Sequence, residues 1–88
     1  MQTNFQMLKE LIDKYHPKQR GFVNIEEIKL IKETLHLAEM DILALRNLRD
    51  FTVAFTGNND NDTIEDWDRM SAICFVIDNE IVERGGEV

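Results

Sequence analysis

From Asn24 to Thr56 the chain runs for 33 residues without a glycine or a proline, the two residue types that most often end a helix. Inside this stretch Ile28, Ile31, Leu35, Ala38, Ile42 and Leu45 recur at alternating steps of three and four. That alternation averages 3.5 residues, the period of a coiled-coil seam. Asn24 with Glu27 three positions on forms a capping pattern, and Glu26 and Glu27 lie where the helix dipole favours negative charge. An unbroken helix over 24–56 would be about 50 Å long at 1.5 Å per residue, longer than a small globule normally holds; a kink near His36–Glu39 is the alternative, although no residue there demands one.

Beside the seam lies a second line at strict seven-residue spacing, Leu30, Leu37, Ala44 and Phe51. A helix in a simple hairpin buries one apolar stripe, and this one offers two. The flanking segments are short or already committed. Residues 4–15 read as a first helix, with Thr3 or Asn4 as its cap. Phe5, Leu8, Leu11, Ile12 and Tyr15 fall on one face, and Pro17 stops the run. Gly57 to Asp62 is turn chemistry, and Thr63 with Asp66 opens a third helix over 63–84 that Gly85 and Gly86 end. On the third helix Trp67, Met70, Cys74, Ile77 and Ile81 make an inner stripe, with Ile64, Phe75 and Val82 beside it. Asp78 sits inside this face and calls for a cationic mate, Arg46 or Arg49. The expected fold is therefore all-α: three helices dominated by a long antiparallel αα-hairpin. Because the first helix covers only about half of the second apolar line, the expected assembly is a dimeric helical bundle.

Eighty-eight residues make one domain, which without help buries too little surface to be robust. The lone Cys74 cannot form an intrachain disulfide and suggests a reducing compartment, the cytoplasm. His16 and His36 lack metal-site spacing, so no metal or cofactor is expected. No uncharged run approaches the roughly 20 residues of a bilayer-spanning helix, and the charged first twenty residues do not resemble a secretory signal. The net charge of −7 falls entirely on residues 58–88, since eight acids balance eight bases over residues 1–57. Direct nucleic-acid binding is disfavoured by such a balance.

Three surfaces stand out. Leu30, Leu37, Ala44, Phe51, Phe55, Trp67 and Phe75 are the candidate oligomer interface, with the aromatics as anchors. Asp60, Asp62, Glu65, Asp66 and Asp68 form an acidic surface that would steer a basic protein partner or imitate DNA phosphates. Asn58, Asp60 and Asp62 open like a calcium loop, but Thr63 and Arg69 stand where glycine and glutamate are needed. Lys14, Lys18 and Arg20 are the only basic cluster, a candidate phosphate or nucleotide contact without a glycine-rich fingerprint. No nucleophile–base pair is evident, so an enzyme is not expected. The leading expectation is a non-enzymatic protein–protein interaction module, an adaptor, inhibitor or regulator of bacterial or phage type acting as a homo-oligomer. A small-ligand or nucleotide-sequestering oligomer is the alternative, and an acidic DNA mimic a further one.

Overall fold

The computed structural model describes residues 3–17, 22–57 and 64–86. Among them are four α-helices: α1 (Asn4–Lys14), α2 (Ile25–Thr34), α3 (Ile42–Gly57) and α4 (Ile64–Glu83), with a 3-10 turn over Leu37–Glu39 between α2 and α3. The all-helical expectation holds. The count of three does not, because the segment 24–56 is two helices and not one long rod. The molecule measures 34 × 25 × 24 Å, too small to hold a 50 Å helix.

The break follows from what has to be buried. Leu35 belongs to the coiled-coil seam and Leu37 to the second line, and on a straight helix two residues two apart point about 200° from each other. Both are completely buried in this single chain. The backbone achieves this by turning at His36, which takes the left-handed conformation (φ 54°, ψ 43°), a region histidine visits more readily than most non-glycine residues. Asp41 then restarts the helix: its Oδ1 accepts from the Ala44 backbone N–H at 2.8 Å. Of the supposed seam, Ile31, Leu35 and Leu45 are buried while Ala38 is exposed on the turn.

Breaking a helix frees carbonyls, and these are recovered from far along the chain. Arg84, at the end of α4, donates through Nη2 to Leu37 O at 2.7 Å and through Nη1 to Met40 O. Glu80 holds the guanidinium from the other side at 3.0 Å and also meets Lys32 of α2 at 3.6 Å. The C-terminus of α4 thus lies against the start of α3, so the two helices run antiparallel. Gly85 (φ +85°) and Gly86 close α4, donating to Val82 O and Ile81 O at 3.0 and 2.9 Å, the paired bonds of a Schellman motif.

The remaining elements dock on the inner face of this hairpin. Thr3 and Gln6 form a complete capping box for α1. At Asn24 only half of one forms: Asn24 Oδ1 accepts from Glu27 N at 2.8 Å, while the Glu27 side chain turns into the interior. Met7, Leu8, Leu11 and Tyr15 of α1 meet Ile31 and Leu35 of α2, Leu45 and Leu48 of α3, and Ile73, Val76, Ile77 and Ile81 of α4. Thr52 is buried but satisfied, donating to Leu48 O at 2.8 Å.

Arg84→Met, which keeps the aliphatic stem and removes the donors, should lower the unfolding free energy in urea by about 1–3 kcal/mol. Arg84→Lys should recover only part of it, because one ammonium cannot span two carbonyls as a guanidinium fork does.

Candidate interaction surface

Three buried polar side chains, Tyr15, Glu27 and Arg69, join α1 to α2 and α4. Tyr15, 2% exposed, donates its hydroxyl to Glu27 Oε2 at 3.1 Å in the buried interior. Burial, and next the Glu27 carboxylate, push the phenol well above its ordinary range. Arg69, 7% exposed, donates through Nε to Tyr15 O at 3.0 Å and through Nη1 to Asp66 at 2.9 Å. Its Nη2 lies 3.4 Å from His16 Nδ1. The guanidinium therefore sits at the C-terminal, electronegative end of α1 and ties it to the first turns of α4. Arg69 is thus an internal rivet, and its key partner lies 54 residues away in sequence.

Because Arg69 faces inward, α4 is rotated relative to the expected orientation. Its inner stripe is Arg69, Ala72, Ile73, Val76, Ile77 and Ile81. Trp67, Phe75 and Val82 point outward with 47%, 52% and 56% of their surface exposed, and Cys74 lies half-buried at the boundary rather than on an inner stripe. The cause is simple: both faces of this helix are apolar, so periodicity alone does not choose between them. Asp78 finds its expected mate in Arg49, with Nη1 to Oδ1 at 3.2 Å. Arg49 lies in the middle of α3, opposite Asp78 on the antiparallel α4.

On the neighbouring helix Val53 is exposed, one turn beyond Arg49. The outer side of the α3–α4 hairpin is thus a band of Trp67, Phe75, Val82 and Val53 around the Arg49–Asp78 pair. Burial, and then Asp78, raise the Cys74 thiol to about 11.

The other candidate interface residues are placed differently. Leu37 is enclosed by the chain's own core, and Leu30 and Phe51 pack against that core from its edge. Ala44 is half-buried. Phe55, 36% exposed, belongs to an aromatic cluster at the far end of the hairpin, 5.7 Å from Phe5 and 6.1 Å from Phe51 between ring centroids. The second apolar line is therefore dispersed by the helix break, and of the candidate residues Trp67 and Phe75 are the ones that point outward. Of the acidic surface, Asp60 and Asp62 and the Glu65 side chain lie outside the described residues, Asp66 is engaged by Arg69, and Asp68 is half-buried. Of the basic cluster, Lys18 and Arg20 lie outside the described residues, and Lys14 is exposed and paired with Glu10 at 2.8 Å.

A shallow cleft of about 440 Å³ opens at the helix break between Lys32, His36, Leu37, Glu39 and Glu80. Lys32 and Glu80 are already paired across it, so these two charges face each other rather than a guest. Among the described residues no group of three or more His, Cys, Asp or Glu side chains is placed to hold a metal ion, and no helix is long and apolar enough to cross a membrane. Protein-family models, curated protein sequences and solved structures all return no match to this chain.

Both raised acids disfavour ionisation in the fold, so each contributes stability below its ordinary value that is lost as pH rises. Urea stability should decline from pH 9.0 through about 11 as Cys74 titrates. Cys74→Ala should remove that first loss. The later one, beginning above the ordinary tyrosine value of 10.0, should disappear in Tyr15→Phe.

Proposed function

We propose that this protein is a non-enzymatic protein–protein interaction module that acts as a homo-oligomer, a dimer in the simplest case, in a reducing compartment such as the cytoplasm. The observation that carries this reading is the outer band of the α3–α4 hairpin. Trp67, Phe75 and Val82 on α4 and Val53 on α3 each leave about half of their surface uncovered. Single exposed apolar residues are ordinary on a protein surface, whereas a tryptophan and a phenylalanine exposed on the same outer side of one hairpin are the residue types interfaces are made from.

Two further features support it. The aromatic anchors stand on the most extensively packed pair of helices, so they are presented by a rigid frame and lose little freedom on docking. The band also carries its own internal ion pair, Arg49–Asp78, so it can be dehydrated without stranding a lone charge.

Light scattering over a series from about 1 μM to 1 mM should show the mass rising above that of one chain. Trp67→Ser combined with Phe75→Ser should hold the protein at the mass of a single chain while changing unfolding free energy by no more than about 0.5 kcal/mol per site. A double variant that associates as the parent does would sink the assignment of this band.

A further inference from the structure

The outer stripe of α4 reads Trp67, Ser71, Cys74, Phe75, Asp78 and Val82. Its steps are four, three, one, three and four, the same in either direction. The chemistry is symmetric as well: a large apolar residue at each end, one polar residue inside each end, and Cys74 beside Phe75 at the centre. We infer that the occupant of this stripe is a second copy of the chain, packed with α4 antiparallel to its counterpart about a two-fold axis between Cys74 and Phe75. This rests on the reading of the outer band as an interaction surface and specifies its partner and register.

The two-fold sets Trp67 against Val82 of the second copy, Cys74 against Phe75, and Ser71 against Asp78. Every apolar position then meets an apolar one, and each polar position meets a polar one. Arg49 engages Asp78 Oδ1 at 3.2 Å, and Oδ2 is the acceptor to which the Ser71 hydroxyl of the second copy donates. An isologous contact of this kind needs one self-complementary patch and closes at two copies.

Charge argues for the same occupant. The chain carries −7, so two copies repel over most approaches. Arg46, Arg49, Asp50 and Val53 follow one another at helical spacing on α3, and with Asp78 their charges sum to zero. Two like-charged molecules meet most easily across such a neutral band, whereas a basic partner would be drawn to the acids of residues 58–68. Association between copies should accordingly strengthen with added salt, the opposite of a contact with a basic protein.

The register is tested by disulfide trapping in a Cys74→Ser background. Trp67 and Val82 are about 22 Å apart along α4, so neither Trp67→Cys nor Val82→Cys alone should form a covalent dimer under mild oxidation. An equimolar mixture of the two should do so, because the antiparallel pairing brings position 67 of one copy to position 82 of the other. Phe75→Lys, which sets two ammonium groups at the axis, should weaken association at least tenfold while the urea midpoint stays unchanged at concentrations where the parent is itself monomeric. Trapping by either single variant alone, in a protein that still dimerises, overturns the register and leaves the interaction surface standing. A dimer indifferent to Phe75→Lys overturns both the register and the outer band. A chain that stays monomeric over the whole concentration series overturns the second copy as occupant and the homo-oligomer with it.

Discussion

The fold turns on the demand that Leu35 and Leu37 be buried together. On a continuous helix one of them would face away from the core, and its cover would have to come from another chain. Turning the backbone at His36 brings both inside, and every later feature follows from that turn. It shortens the rod to fit its own globule and releases carbonyls at Leu37 and Met40 that Arg84 recovers. The left-handed conformation costs roughly 1–2 kcal/mol for a residue with a Cβ. The one leucine that a straight helix would leave outside is worth about 1.5–3 kcal/mol when removed from water, enough to offset that cost.

A second constraint is polar and closes the opposite end. Tyr15, Glu27 and Arg69 are buried, and each satisfies another: phenol to carboxylate, guanidinium to the Tyr15 carbonyl. A buried network of this kind is stabilising only when complete. Its geometric effect is larger than its energetic one, because an inward Arg69 decides which of the two apolar faces of α4 meets the core. Trp67, Phe75 and Val82 are outside as a consequence.

Much of this was legible in the residues themselves. The caps at Thr3 and Asn24, the stop at Pro17, the helix-ending glycines at 85 and 86 and the need of Asp78 for an arginine all have local causes, and local causes can be read in a single sequence. The break at His36 left no such mark. The apolar period runs through it unaltered, no glycine or proline stands there, and Asp41, whose side chain caps α3, falls inside that period. The orientation of α4 was hidden for a different reason. It depends on a bond between residues 54 apart, and a wheel with two apolar faces offers no local ground for choosing. The interface residues divided accordingly: Leu37 belongs to the interior, and Trp67 and Phe75 to the surface.

The guanidinium that stitches the turn at Leu37 belongs to a residue 47 positions further on. While the polypeptide is being synthesised from its N-terminus, the stretch beginning at Asn24 therefore emerges before the group that settles its shape. A nascent chain at that stage carries the heptad pattern without the α4 residues that complete the core around Leu35 and Leu37 and without the guanidinium that takes up the freed carbonyls. Non-local bonds form late for reasons of loop entropy, and here lateness coincides with the choice between two shapes. Maturation of this small protein is thus a decision deferred until α4 arrives, with neighbouring nascent chains as the competitors for the same greasy edge in the interval.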